Sequence, residues 1–365
     1  MIRPFGNVFY AGDDWAYARS VLWLHLGEGF HISKWVTASA ITQVSYGALW
    51  TSVFGFSFKI LNLSVISLAV LGLVGQYLTF LALGFNPKVS SVGTLALSLT
   101  PLYLGFSATF MTDVPHTVLM ILAVVCYIHG LKGAHSKLLL LGGALATLAY
   151  LNRQTGIAIL LAYGLTILIR SIHRRAGSQF IKYFILGLLL PGIILFLYHW
   201  WLEWSGEMTP FQQANLNGAS AVLDMVQRIF SRMILYRLYQ VWSYFYVILT
   251  PLVALIAYYN WKRVGNIVRE NKTLFVAATV FLTIAPISVL SFTNRTLTVP
   301  GDLLHGSSGF LLSDTSLWNV LVVVCSPIGA VLCAAIWTEL KKLGTSHLEN
   351  GAWIFVLACL ASYLV

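Results

Sequence analysis

Between Glu28 and Glu203 the chain carries a single acidic residue, Asp113, set between two long apolar runs in Phe110-Met111-Thr112-Asp113-Val114-Pro115-His116. No soluble domain is built this way, since about a quarter of the residues of such domains are charged. Here the charged share is 9% against 58% hydrophobic residues, and the mean hydropathy is +0.80. The pattern implies a polytopic, all-helical membrane protein. A carboxylate bordering hydrocarbon is costly to place, which points to a chemical role for Asp113. An acid two residues before a proline also looks like the start of a helix, with Asp as cap and Pro in the first turn. The two readings are compatible, and the sequence leaves both open.

Apolar runs of about 15 to 24 residues mark the spans. They cover Ile60 to Leu83, Val92 to Thr109, Val114 to Leu131, Tyr183 to Leu202, Leu238 to Tyr259, Thr273 to Phe292, Leu317 to Thr338 and Ala352 to Val365. A further stretch, Leu138 to Ile169, is too long for one upright helix and too short for two full crossings. It reads as a short hairpin turning at Asn152-Arg153-Gln154-Thr155-Gly156, for about ten spans in all. Lys88; Lys132 and Lys137; Arg170, Arg174, Arg175 and Lys182; Lys262, Arg263, Arg269 and Lys272; and Lys341 and Lys342 fall on alternate connections. The positive-inside rule assigns these to the cytoplasm, where with three acids they sum to +10, whereas the outer side balances nine acids against nine bases. The net charge of +10 therefore reports topology and gives no reason to expect nucleic acid. Cys126, Cys325, Cys333 and Cys359 lie inside apolar runs at no metal or redox spacing and read as small core residues.

This orientation divides the chain into an outer N-terminal segment (1–59), a membrane module (60–202) and further spans (203–365). In the first, Gly12-Asp13-Asp14-Trp15-Ala16-Tyr17 opens a helix patterned on Trp15, Ala18, Val21, Leu22 and Leu26 and ending near Gly27 and Gly29, with Asp13 a candidate cap. The stretch Trp35 to Gly55 is diluted by polar residues and reads as a helix on the outer surface. Trp200, Trp201 and Trp204 read as interfacial anchors. The outer loop Glu203 to Tyr236 ends in an amphipathic stretch carrying Arg228, Arg232 and Arg237, either a solvated face or a site for an anionic lipid or glycan. The loop Thr293 to Ser316, with Asp302 and His305, fits a cover over a site or any flexible connector, and the sequon at Asn294 decides nothing. Nothing before Asp13 resembles a signal or a first span, and the last apolar run stops after 14 residues. The expectation is a partial chain or a mis-assigned start.

Sidedness brings Asp13, Asp14, Asp113 and Arg153 to one face. Carboxylates and a cation at a lipid surface suit transfer of a sugar from a polyprenyl phosphate. The phosphate is a good leaving group, so the reaction needs a base for the acceptor hydroxyl and a cation for the phosphate, but no general acid. An Arg that only snorkels to the interface is the bland alternative for Arg153.

In order and sidedness the chain resembles the GT-C fold glycosyltransferases, which include the protein O-mannosyltransferases and the aminoarabinose transferase of lipid A. The features that carry the likeness are the acidic pair Asp13-Asp14 with Tyr17, then Phe54-Gly55-x-Ser57, Thr112-Asp113-x-Pro115 and Arg153-Gln154-Thr155-Gly156. They span roughly residues 10 to 170. Asp14 stands where that family more often has Glu. The resemblance implies Asp13, Asp14 and Asp113 as catalytic residues, Arg153 and Gln154 on the donor phosphate, and Tyr17 and His116 positioning substrate. Some relatives use a divalent metal near these acids, for which His116 is a candidate ligand. The partners implied are a polyprenyl-phosphate sugar donor, a lipid, glycan or protein acceptor, and membrane lipids. The implied home is a prokaryotic inner membrane with its active site on the periplasmic or extracellular face. A secondary transporter would instead hold its charges near the midplane between repeated helices. A lipid-linked glycan polymerase or ligase would lean on outer-loop arginines.

Overall fold

The structure, a computed structural model, describes residues 13–36, 39–133, 135–174, 177–209, 261–293, 323–331 and 333–334. These are helical with short connections, and no strand occurs among them. They fall into two compact units, one holding the described residues up to 209 and one those from 261 on.

Helix α1 (Asp14–His25) ends before Gly27 and Gly29, both in the left-handed region at φ 77° and 99°, as the sequence predicts. Its inward face agrees with the predicted one at Ala18 and Val21 but not at Trp15 and Leu26. Asp14, Tyr17, Ala18 and Val21 are buried, whereas Trp15 and Leu26 are exposed. On a helix lying at an apolar boundary, apolar side chains are not forced inward, so the apolar pattern does not report the core face. Helix α2 (Ile41–Phe54) is 14 residues long. At 1.5 Å per residue it reaches about 21 Å, short of the roughly 30 Å hydrocarbon core. It buries Gln43, Gly47 and Thr51 on one face and exposes Leu49, Val53 and Phe54 on the other.

Four described helices are long and apolar enough to cross a membrane: Phe58–Ala82, Asp113–Gly133, Gln154–Ser171 and Ile181–Ser205. Helix α3 (Phe58–Ala82) owes its start to the Phe54-Gly55-x-Ser57 motif. Gly55 closes α2 at φ 80°, and the Ser57 hydroxyl accepts the Ile60 amide at 3.3 Å. The motif is helix punctuation. The run Val92 to Thr109, expected as one span, is two short helices, α4 (Pro87–Ser98) and α5 (Pro101–Ser107). Thr100 is extended, as a residue before proline tends to be, and the break at Pro101 outweighs the continuous hydrophobicity.

Helices α6 (Asp113–Gly133) and α7 (Ser136–Asn152) form an antiparallel pair, and α8 (Ile157–Arg174) returns from α7 through a 3-10 turn at Gln154–Gly156. The expected hairpin is present, with its turn where the sequence places it. Glycines let the helices close: a Cβ on Gly142 would lie 2.9 Å from the Tyr127 ring, and one on Gly130 2.6 Å from Leu139. At the far end of the pair, Lys132 Nζ donates to the Ala82 carbonyl and Arg170 Nη1 to that of Leu131, at 3.2 Å for the latter.

Helix α9 (Gly177–Phe184) continues through a π-turn at Ile185–Leu189 into α10 (Leu190–Ser205). Pro191 has no amide proton for the carbonyl four residues back, Gly187. The Tyr127 hydroxyl donates to that carbonyl instead, at 2.8 Å, with Tyr127 stacked on Tyr163 at 4.1 Å between centroids. Helix α10 runs through Glu203, which the sequence reading gave to the following loop. Trp200 and Trp204 face outward as anchors would, while Trp201 turns in against Phe30 and Tyr198.

The second unit contains α11 (Trp261–Glu270) and α12 (Lys272–Thr293). The amphipathic stretch with Arg228, Arg232 and Arg237, the spans 238–259 and 352–365, most of 317–338, and the loop with Asn294, Asp302 and His305 lie outside the described residues.

Candidate active site at one end of the helix bundle

The site is built on the turn after α7. Arg153 leaves the helix in an extended conformation, φ −146° and ψ 137°. The chain then folds back across the end of α7, where a Cβ on Gly156 would meet the Tyr150 amide nitrogen at 2.4 Å. Only glycine permits that approach. His116, in the first turn of α6, holds the turn from the other side. Its Nδ1–H donates to the Ala149 carbonyl at 3.1 Å, and in the neutral ring Nε2 accepts the Thr155 hydroxyl at 3.1 Å. Asn152 is fully buried and donates from Nδ2 to the Thr112 carbonyl at 3.2 Å, while its own carbonyl accepts the Ala40 amide at 3.1 Å. Ala40 pays for this contact with a left-handed backbone, φ 56°. Three distant segments therefore meet at one residue.

Helix α6 starts one residue earlier than the capping reading supposes. The Thr112 carbonyl accepts the His116 amide at 2.9 Å, so Thr112 occupies the cap position and Asp113 is the first helical residue. The Asp113 carboxylate pairs with Arg153 Nη1. Both side chains keep solvent access, 25% for Asp113 and 38% for Arg153. Gln154 is half-buried in the turn beside them.

Helix α1 completes the arrangement. Asp13 sits at its N-terminal cap, where its carbonyl accepts the Ala16 amide at 2.9 Å but its carboxylate makes no capping bond. Tyr17 is buried and hydrogen-bonded to Thr112, near enough to Asp13, Asp113 and Arg153 to feel their charges. Burial pushes the Tyr17 pKa above the ordinary phenol value, so its hydroxyl stays protonated at neutral pH. Asp14 is buried and turned from the half-exposed side on which Asp13 lies.

Of the residues the sequence singles out, Asp13, Tyr17, Asp113, Arg153 and Gln154 gather at one end of the bundle, whereas Asp14 and His116 point into the protein. Both His116 ring nitrogens are engaged internally, which fits support of the turn better than ligation of a metal. Among the described residues no group of three His, Cys, Asp or Glu side chains could hold a metal ion. Sequence reasoning named Asn152 and Thr112 in its motifs but gave neither a role in holding the site. The only available signal was a polar residue at the end of an apolar run.

A second tie reaches the same end of the bundle. His31 Nδ1 lies 2.8 Å from Glu207 Oε1 and Nε2 3.1 Å from the Glu28 carbonyl, two acceptors that the doubly protonated ring satisfies together. Glu207 Oε2 accepts the Ile32 amide at 3.1 Å, and Thr209 Oγ1 donates to the Val36 carbonyl at 3.1 Å. The hydrogen bond and charge of Glu207 raise the His31 pKa. This clasp fastens the loop after α1 to the chain leaving α10.

Residues 46–201 match the family model described as dolichyl-phosphate-mannose-protein mannosyltransferase. No curated protein and no solved structure gives a significant match. The matched stretch runs from α2 into α10 and includes Asp113, His116, Arg153 and Gln154, while Asp13, Asp14 and Tyr17 precede it. Over residues 46–201 the chain is similar to that mannosyltransferase family, whose members are membrane glycosyltransferases of the GT-C type.

Proposed function

We propose that the chain moves a sugar from a polyprenyl-phosphate donor onto a lipid, glycan or protein acceptor, with inversion, at the membrane face where α1, the start of α6 and the Arg153 turn meet. The observation that supports this most is the partly exposed Arg153–Asp113 ion pair at the end of apolar helices, with Tyr17 close enough to sense both of them and Asp13. Arg153, with Gln154 beside it, holds the donor phosphate. The acceptor hydroxyl attacks the anomeric carbon from the side opposite the phosphate. A new C–O bond forms, and the sugar–phosphate C–O bond breaks with its electrons leaving on the phosphate oxygen. The hydroxyl proton passes to Asp113, and Asp13 orients the acceptor. Arg153 is worth most as charge develops on the departing phosphate, because a site at a lipid boundary screens it poorly. Tyr17 stays protonated and shapes the floor. The outer face of a prokaryotic inner membrane is the side proposed, since Lys132 and Arg170 lie at the opposite end of the α6–α7 pair.

The test is label transfer from a panel of radiolabelled polyprenyl-phosphate sugars, comparing wild type with Asp113→Asn at matched membrane levels. Loss of a general base lowers transfer by about 10² to 10⁴-fold. A folded Asp113→Asn protein that transfers label at the wild-type rate removes Asp113 from the chemistry. A wild type that transfers from no donor but takes up a solute would favour a transporter.

A further inference from the structure

Arg153 is not idle before a donor arrives. Its guanidinium is already held by Asp113, the carboxylate that must later be free to take a proton. The two lie 40 residues apart, Asp113 at the start of α6 and Arg153 on the turn after the antiparallel α7, and with that turn fixed by His116, Thr155, Asn152 and Gly156 they meet in a set geometry. Both remain partly exposed, so an incoming anion can reach the guanidinium without unfolding anything.

Resting on the glycosyltransferase reading, we infer that the Arg153–Asp113 ion pair is a latch opened by the donor: the phosphate takes Arg153 away from Asp113 and thereby exposes the carboxylate that accepts the acceptor proton. Before the donor binds, Asp113 is occupied by a cation and is a poor partner for a hydroxyl. Once a phosphodiester occupies the guanidinium, Asp113 loses its counterion and turns to the acceptor beside Asp13. Among the described residues, Asp13 is a further charged group beside the pair, and Tyr17 and His116 are the titratable groups next to it. The latch orders the reaction, donor first and acceptor second, and it keeps the carboxylate neutralised at a lipid boundary in the resting enzyme.

An unusual consequence follows. Asp113 competes with the donor, so removing it must tighten phosphate binding while abolishing transfer. A residue needed only for structure would weaken both. The probe is farnesyl phosphate, titrated calorimetrically into the full chain in nanodiscs. Partly exposed ion pairs are weak, so Asp113→Asn is expected to bind about three- to fivefold more tightly than wild type. Asp113→Ser serves if the Asn variant does not accumulate. Asp13→Asn controls for loss of one nearby negative charge and should gain less, because Asp13 is not paired to Arg153. Arg153→Ala should lose at least about tenfold. Equal gains from Asp113→Asn and Asp13→Asn, or no gain from the former, overturn the latch while leaving Arg153 as the phosphate ligand. Wild-type affinity in Arg153→Ala overturns the phosphate assignment itself.

Discussion

Replacing Gly156 with Ala tests whether the Arg153 turn is held where the chemistry needs it. The added Cβ would lie 2.4 Å from the Tyr150 nitrogen, 2.6 Å from the Ala149 carbonyl carbon and 2.8 Å from the Tyr150 Cα, all backbone atoms that no rotamer change can move. Ordinary contact begins at 3.4 Å. The turn must therefore shift by about 1 Å, and overpacking of this kind costs about 1–3 kcal/mol. The same displacement reaches Arg153 three residues earlier, and a misplacement of about 1 Å can cost about 10²-fold in rate. Label transfer at matched membrane levels should fall by about that factor, with the unfolding midpoint in detergent lowered. Gly192→Ala is the control, since nothing lies within 4 Å of a Cβ there. It should leave transfer unchanged and stability equal or slightly higher. A Gly156→Ala protein that transfers within twofold of wild type and melts at the wild-type temperature would refute the argument.

Three further outcomes are expected. Tyr127→Phe keeps the stack on Tyr163 but strips the donor from the Gly187 carbonyl, lowering stability by about 1 kcal/mol. Adding Pro191→Ala restores an amide and should recover part of that loss in thermal unfolding, whereas simple additivity would contradict the assignment. The His31–Glu207 clasp has a raised imidazole pKa, so its contribution is present below the ordinary imidazole value and fades as pH rises through the raised one. Hydrogen exchange at Ile32, corrected for intrinsic rate, should show protection falling with pH in wild type and a flat profile in Glu207→Gln. For Arg153, Lys retains the charge without the planar fork and should keep part of the transfer activity, while Ala keeps little. Normal donor turnover in the Ala variant would exclude Arg153 from the mechanism.

Long apolar runs announce α3, α6 and α10 because, in lipid, a span is defined by length and apolarity alone. Simple chain arithmetic located the hairpin turn as well. Local chemistry was harder to weigh. Pro101 interrupts a run whose hydrophobicity argues for continuity, and Thr112 takes the cap position that Asp113 is equally able to fill. The adjacent acids Asp13 and Asp14 look equivalent in sequence, yet successive residues on a helix point about 100° apart, so one faces the site and the other the interior. The clasp between His31 and Glu207 joins residues 176 apart in sequence and left no local trace. Asn152 could be recognised only once α6 was known to lie beside the end of α7.

The cations at the far end of the α6–α7 pair bear on how membrane orientation is usually mapped. Charge-neutralising substitutions are read as moving a topological signal and nothing else. Here Lys132 reaches the final residue of α3 and Arg170 a carbonyl in the last turn of α6, so each also terminates a helix whose last carbonyls have no partners of their own. Ala at either position would erase a sorting cue and fray a helix at once, and a failed insertion could not be attributed to either. Gln keeps a donor while discarding the charge. It is the substitution by which the two duties of these side chains can be separated.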